Sequence, residues 1–367
     1  MRVAVIFGTR PEAIKMAPVI KALQADPAFD CRVWSTGQHR EMLDQVLGFF
    51  GIRTDIDLAL MKPGQSLNGI FGGAITGIDE ALSAEKPDMV MVHGDTSTAA
   101  AAATAAFHRR VAVSHVEAGL RSGRMDQPWP EEFNRRLIDM VSDRLFAPTD
   151  TSRDHLLREG VDPARITVTG NTVIDALLEA VERLKADDVG RKALDEEFRF
   201  LDPAKPLLLV TGHRRESFGE GFRNICLALR QLGQSEQLEV IYPVHMNPNV
   251  QGPVNELLSN TPGVHLIEPV DYRRFVYLMS RSSVILTDSG GVQEEAPSLG
   301  KPVLIMRDVT ERPEAVAAGA ARLVGTDTDY IVASVIEALA APPRLIANPY
   351  GDGKASARIV EELKKCR

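Results

Sequence analysis

Five short stretches of the sequence combine glycine with charged or hydroxyl residues in patterns that could do chemistry. They are Gly8-Thr9-Arg10-Pro11-Glu12, Gly94-Asp95-Thr96, Glu117-Ala118-Gly119, Gly212-His213-Arg214-Arg215-Glu216 and Asp288-Ser289-Gly290-Gly291. The first places a glycine where the backbone must bend, then a proline suited to a helix's first turn. Arg10 adds a fixed positive charge and Lys15 another, about one helical turn further on, so the turn is both a helix cap and a candidate anion site. Asp288-Ser289-Gly290-Gly291 is the stronger phosphate candidate. Its glycines let a ligand approach the backbone, and the N–H groups opening a helix favour negative charge. That helix-terminus contribution is only about 0.3–1 kcal/mol per exposed charge and up to about 2 when partly buried. A diphosphate therefore also needs cations, and Arg10, Lys15, His213 and Arg312 are the candidates. Glu294 and Glu295 follow directly. One of them could accept hydrogen bonds from ribose hydroxyls; the alternative is a surface carboxylate, which is the expectation for Glu294.

The elements that must position these residues are legible as alternating β and α patterns. Short aliphatic or β-branched runs occur at residues 3–7, 31–35, 89–93, 111–116 and 144–147, and again at 207–211, 239–244, 264–267, 284–287 and 302–305. Helical periodicity fills much of the space between, for example at 12–25, 98–108 and 292–299. Such alternation implies parallel sheets with helices on both faces. About ten strands exceed one usual doubly wound sheet, and 367 residues exceed one ordinary core. The expectation is two Rossmann-like α/β domains facing a central cleft, dividing near residues 170–200. The charged stretch 182–195 reads as a solvated helix leading into the second domain, and 355–365 as a final amphipathic helix. Each of the five motifs falls just after a strand, at the edge where open α/β sheets bind ligands. Arg10, Asp95 and Glu117 can therefore meet. A single such motif could be an ordinary strand-to-helix cap; five across both halves mark an active site.

Composition and missing motifs narrow the chemistry. A net charge of −8 argues against a general nucleic-acid or anionic-membrane surface. No apolar run approaches the roughly 18 residues of a membrane span, and Met1-Arg2 leads directly into the first strand rather than a signal segment. Cys31, Cys226 and Cys366 form no C-x-x-C pair, which favours a reducing compartment, so a cytoplasmic location is expected. Neither G-x-x-x-x-G-K-[ST] nor a G-x-G-x-x-G after the first strand is present, which disfavours a P-loop kinase and a bound nicotinamide; no cofactor is expected. Tyr350 and Lys354 have a Y-x-x-x-K spacing, but the two glycines between them are unsuited to a helix. His93, His115, His213 and His245 lack paired helical metal-ligand spacing, so no metal is expected.

At these residues the sequence closely resembles the non-hydrolysing UDP-N-acetylglucosamine 2-epimerases of bacterial type. The matching segments are GTRPEAIKMAP (8–18), QHREMLDQVL (38–47), HGDT (93–96), HVEAGLRS (115–122), PWPEEFNRRL (128–137) and GNTVIDAL (170–177). GHRRES (212–217), YPVHMNP (242–248), TDSGGVQEEAPSLGKPV (287–303), RDVTERPEA (307–315) and NPYGDGKAS (348–356) continue the likeness through nearly the whole chain. The resemblance implies a glycogen-phosphorylase-like (GT-B) arrangement, with domains at 1–170 and 171–349 and a C-terminal helix, 350–367, crossing back to the first. It implies reversible epimerisation at C2 of UDP-N-acetylglucosamine by elimination of UDP to 2-acetamidoglucal and re-addition, supplying N-acetylmannosamine for cell-surface polysaccharide.

By resemblance, Asp95, Glu117 and Glu131 are the sugar-side carboxylates and His213 the phosphate-side group. Arg10, Lys15, Arg135, Phe275, Ser289, Gly290, Gly291, Glu295 and Arg312 are the substrate-binding set, Phe275 being equally suited to a core position. Clustered carboxylates raise at least one member's pKa, which lets an acid and a base coexist. Gln38, Arg214 and His245 match residues associated with a second, activating UDP-N-acetylglucosamine, while Glu41 and Gly64 depart from the Gln and Arg of one well-matched subgroup. Homodimers are usual in the family. Rival readings are a UDP-sugar-dependent GT-B glycosyltransferase, a hydrolysing 2-epimerase, an epimerase for a uronic-acid relative of the sugar, and a catalytically silent nucleotide-sugar sensor. The three acids on the sugar side favour the non-hydrolysing epimerase.

Overall fold

Val3, Val5 and Phe7 alternate with Ala4 and Ile6 along β1 (Arg2–Phe7), and all five are fully buried. Alternation with no polar face is the mark of a parallel strand covered on both sides. The structure is a computed structural model that describes residues 1–37, 40–60, 64–214, 217–341 and 346–366. Its first sheet contains β1, β2 (Asp30–Ser35), β3 (Ile56–Asp57), β4 (Met89–His93), β5 (Ala112–Val116), β6 (Arg144–Ala147) and β7 (Ile166–Val168). They lie in the order β3-β2-β1-β4-β5-β6-β7, all neighbours parallel.

The second sheet contains β8 (Leu207–Thr211), β9 (Glu239–Pro243), β10 (Val264–Ile267), β11 (Val284–Thr287), β12 (Val303–Ile305) and β13 (Ala321–Leu323). Its order is β10-β9-β8-β11-β12-β13, again all parallel. The protein is thus α/β with two doubly wound sheets. The chain divides into one unit of Met1–Ala176 with Tyr350–Arg367 and a second of Leu177–Pro349.

In the first unit, Ala4, Ile6, Val90 and Val92 pack into one cluster with alanines 99–103, 105 and 106 of helix Ser97–His108. Alanine has high helix propensity and a small side chain, which lets this helix lie close to the sheet and against helices Leu67–Glu85 and Glu131–Val141. Helix Arg10–Ala25 packs against the C-terminal helix Ala355–Lys364. Asp175 caps that C-terminal helix, accepting from Ala355 N (3.1 Å) and Ser356 N (2.8 Å), and Lys364 pairs with Asp26 at 2.7 Å. In the second unit, Leu208, Val210, Val240, Tyr242, Val284 and Leu286 bury against Phe222, Ile225, Cys226 and Leu229 of helix Glu220–Gln234.

The charged stretch 182–195 is not one helix. Helix Thr172–Ala186 ends, and Asp187 caps a new one, Asp188–Glu197, by accepting from Gly190 N at 2.9 Å. Strand order reverses between β1 and β4 in the first sheet and between β8 and β11 in the second. These are topological switch points, where the loops leaving neighbouring strands diverge and open a crevice. Four of the five polar motifs follow these four strands, and Glu117 follows β5.

Candidate active site

The turn after β1 is held by a capping box. Thr9 Oγ1 accepts from Glu12 N, and the Glu12 carboxylate accepts from Gly8 N, Thr9 N and Thr9 Oγ1 at 3.1, 2.8 and 2.7 Å. The other Glu12 oxygen accepts from Thr96 Oγ1 at 2.8 Å, which ties the β1 loop to the β4 loop. Glu12 is buried, and burial raises its carboxyl pKa even though these four donors work the other way. Gly8 has a packing reason: a Cβ there would lie 2.4 Å from Thr36 Oγ1 and 2.6 Å from Thr98 Oγ1. Arg10 opens the helix, half-buried, with no hydrogen bond or ion pair among the described residues.

Lys15 reaches from this helix to Glu117 and forms an ion pair with Oε1, which also accepts from Asn171 Nδ2 at 3.0 Å. Lys15, expected beside phosphate, is therefore placed against a carboxylate. Oε2 of Glu117 lies 3.6 Å from Nε2 of His93, the buried last residue of β4. Burial drives the His93 pKa down to about 3, and the ring is neutral. Glu117 itself has a φ of +71°, a left-handed conformation that is costly for a residue with a Cβ and tends to be retained at functional positions.

Asp95, half-buried after β4, takes Arg135 on Oδ2, with Nε at 3.1 Å, while Asn134 Nδ2 donates to its carbonyl at 2.9 Å. Arg135 is shared with Glu132 at 3.2 Å. Glu131 and Glu132 open helix Glu131–Val141 and part company there. Glu132 is fully buried and accepts from Ser122 N (3.0 Å) and Arg136 (2.9 Å); burial would raise its carboxyl, but these donors and Arg135 hold it below the ordinary range. Glu131 is half-buried with no partner among the described residues. Beneath these loops, buried His115 joins Gly94 O (2.7 Å) to Asp139 (2.6 Å), and Asp139 also takes Arg121 (2.8 Å) and Gly119 N (3.2 Å).

In the second unit, buried Asp288 accepts from the main-chain N–H groups of His213 (2.6 Å) and Arg214 (2.7 Å), bringing the β8 loop to the end of β11. His213 Nδ1 stands 3.5 Å from Asp288 Oδ1, and its ring stacks on that of His245 with centroids 5.1 Å apart. Partial burial pulls the His213 pKa below the ordinary histidine value, against the pull of Asp288. Ser289 precedes helix Gly290–Glu295. A Cβ at Gly290 would meet nothing nearer than the guanidiniums of Arg312 (3.9 Å) and Arg214 (4.0 Å), and one at Gly291 nothing nearer than Glu295 Oε2 (3.9 Å). Protein packing does not require glycine at either position, so the space above them is open to a ligand.

Glu294 is not a surface carboxylate. It is 2% exposed and forms an ion pair with Arg312 Nε, because helix Gly290–Glu295 turns it inward beneath the Arg312 loop. Glu295 is also buried, 3.4 Å from the Tyr272 hydroxyl. Phe275 is half-buried on helix Tyr272–Arg281. Gln38 lies outside the described residues. The sequence assigned no site role to Glu12, His93, Asn171, Glu132 and Asp139, Glu12 being read only as part of the first turn and His93 only as a histidine without metal-ligand spacing. A capping-box pattern, Thr9-x-x-Glu12, could have found the first; the others have no local signal.

The class this fold and site define is a two-unit doubly wound α/β enzyme. One sheet edge offers carboxylates for acid–base work, and the other an open Asp-Ser-Gly-Gly turn flanked by guanidiniums. A family model described as UDP-N-acetylglucosamine 2-epimerase matches residues 21–364. UDP-N-acetylglucosamine 2-epimerase of Escherichia coli (strain K12) is 54% identical over 373 residues, covering 100% of this chain and 99% of that one. The crystal structure of UDP-GlcNAc 2-epimerase from Neisseria meningitidis bound to UDP-GlcNAc is 50% identical, with a TM-score of 0.90 and 100% of both chains covered. That of the Methanocaldococcus jannaschii enzyme in complex with UDP-GlcNAc and UDP is 34% identical, with a TM-score of 0.83 and 100% of both chains covered. A glycosyltransferase from Rickettsia africae, 14% identical with a TM-score of 0.65, shares the fold over 99% of this chain and 98% of its own. The chain belongs to the UDP-N-acetylglucosamine 2-epimerase family. No helix among its described residues is long and apolar enough to cross a membrane.

Proposed function

We propose that this protein interconverts UDP-N-acetylglucosamine and UDP-N-acetylmannosamine by inverting carbon 2 of the sugar. The observation that carries the reading is the paired setting of Glu117 against Lys15 and Asn171, and of Asp95 against Arg135, on one sheet edge. The C2 proton is not acidic, so a base must take it as the C1–O bond breaks. UDP leaves with that electron pair and a C1=C2 double bond forms, giving 2-acetamidoglucal. A proton delivered to the opposite face of C2 and return of UDP to C1 complete the inversion.

Negative charge grows on the diphosphate while the ring turns oxocarbenium-like, so cations suit one end and carboxylates the other. Asp95, Glu117 and Glu131 serve the proton transfers and the ring. His213, Arg10, Arg312 and the turn Ser289-Gly290-Gly291 serve the diphosphate, while Glu295 and Phe275 serve the uridine. Lys15 and Arg135 pair with Glu117 and Asp95 and orient these carboxylates beside the sugar. A second UDP-N-acetylglucosamine at Arg214 and His245 would act directly on His213, since the two imidazoles stack. The working form is read as a cytoplasmic homodimer supplying N-acetylmannosamine for surface polysaccharide.

The test is incubation with UDP-N-acetylglucosamine in D₂O, followed by NMR. UDP-N-acetylmannosamine with deuterium at C2 is expected. Stoichiometric UDP with free N-acetylmannosamine would make the enzyme hydrolytic instead, and no reaction with UDP binding retained would point to another sugar or to group transfer.

A further inference from the structure

His93 is 3% exposed, and neither of its ring nitrogens has a hydrogen-bond partner among the described residues. An interior polar ring without a partner is destabilising, so its presence calls for a reason beyond packing. The ring is aimed at the site. Its Nε2 faces Glu117 Oε2 at 3.6 Å, while Lys15 and Asn171 hold the other carboxylate oxygen. Moving about half an ångström would bring the pair within normal hydrogen-bond range. The charged and titratable groups around the ring are Glu117, Lys15 and His115; burial, with Lys15 and His115 acting in the same direction, outweighs Glu117 and keeps the ring neutral. A neutral imidazole carries one N–H, and beside a carboxylate oxygen that proton belongs on Nε2. Gly94, the next residue, has a φ of +65°, which favours glycine, and its Cα side faces the same Glu117 oxygen, from which a Cβ would stand 3.5 Å away.

We propose that His93 is a positioning residue for Glu117: its Nε2–H closes onto Oε2 during the reaction and fixes the orientation and ionised state of that carboxylate. The inference rests on the reading of Glu117 as a sugar-side acid–base group. A donor to the charged form lowers a carboxyl's pKa, so removing it should raise that of Glu117.

The experiment compares wild type with H93L, H93Q and H93N in the epimerisation assay, with pH profiles of kcat/KM and thermal midpoints. H93L is expected to lose at least about 30-fold in kcat, within the range for acid–base groups. It should also move the acid limb of the profile up by about half a unit or more. Its thermal midpoint should stay level or rise, because an unpartnered polar ring has been replaced by an apolar side chain. H93Q places an amide N–H near the position of Nε2 and should restore most of the turnover, whereas H93N, which reaches only as far as Nδ1, should not. If H93L folds poorly, the comparison of H93Q with H93N still decides. Equal activity of those two variants, or a loss in H93L with an unmoved acid limb and a lowered midpoint, would overturn the proposal. A wild type inactive on UDP-N-acetylglucosamine would instead sink the functional reading beneath it.

Discussion

Replacing Glu12 by alanine should destabilise the first unit by roughly 3–5 kcal/mol, and replacing it by glutamine by only about 1. The Glu12 carboxylate accepts from four donors: Gly8 N, Thr9 N and Thr9 Oγ1 on one oxygen and Thr96 Oγ1 on the other. Alanine strands the two main-chain N–H groups at about 1–3 kcal/mol each and removes half of a capping box, about 0.5–2 more, offset in part by relief of a buried carboxylate. Glutamine can keep nearly all of this. Its carbonyl oxygen takes the place that receives three donors, and its amide donates to Thr96 Oγ1, a hydroxyl that also accepts from Ala99 N at 3.0 Å.

The pH dependence has a definite sign. Burial raises the folded-state pKa of Glu12 above its unfolded value. The stability it confers is then fully present below the ordinary glutamate pKa of about 4.3 and is lost as pH rises through the raised folded value. The deficit of E12Q relative to wild type should therefore shrink as pH rises from that point. Urea unfolding followed by circular dichroism, from acid to mildly alkaline pH, reads both effects. An alanine variant within about 1 kcal/mol of wild type, or a glutamine variant as damaged as alanine, would refute the reasoning.

The two ligand-edge glycines should behave oppositely. G8A drives a methyl into two threonine hydroxyls 3.2 Å apart and should cost about 1–3 kcal/mol in unfolding experiments. G290A meets no protein atom nearer than 3.9 Å, so its stability should hold within about 0.5 kcal/mol while UDP binding, read by calorimetry, weakens at least about tenfold. Unchanged UDP affinity in G290A would remove that loop from the anion site. R312A leaves the Glu294 charge buried without its guanidinium, a loss of roughly 3 kcal/mol that the double variant R312M/E294L should largely restore. A double variant no more stable than R312A would contradict this. E117Q should lower kcat by about 10²–10⁴ with an unaltered circular dichroism spectrum, and retention of near-normal turnover would take Glu117 out of the chemistry.

Much of this was legible in the sequence, and what was not has physical reasons. The ten aliphatic runs are strands because each is long and apolar enough to pack into a sheet, the central ones buried on both faces and the edge strand β10 only partly. β3, β7 and β13 have only two or three residues, too few for periodicity to register. The break at Asp187 is a capping event inside a charged stretch, where apolar spacing carries no information. Residue types at strand ends predicted a site because parallel strands place those ends on one edge. Pairing was not predictable, since Lys15 and Glu117 are 102 positions apart and only the fold brings them together. The adjacent Glu294 and Glu295 both point inward, which no local rule for a surface helix anticipates.

The carboxylates of the first unit divide by how fully their lone pairs are used, and that division separates scaffold from chemistry. Glu12, Glu132 and Asp139 are buried, and each accepts from at least three donors, with Glu12 joining the β1 loop to the β4 loop. Asp139 illustrates the cost: burial alone would raise its pKa, yet His115 and Arg121 hold it below the ordinary range and so keep it ionised. A buried carboxylate with three or four donors has little acceptor capacity left for a substrate, but it fixes the chain segments that donate to it. Asp95 and Glu131 stand on those fixed loops with acceptor capacity unspent on protein donors among the described residues, and Glu117 is held there in a left-handed conformation. Acid–base catalysis needs groups rigidly placed and still able to exchange a proton. Three buried carboxylates supply the rigidity, which leaves the three at the edge available for the exchange.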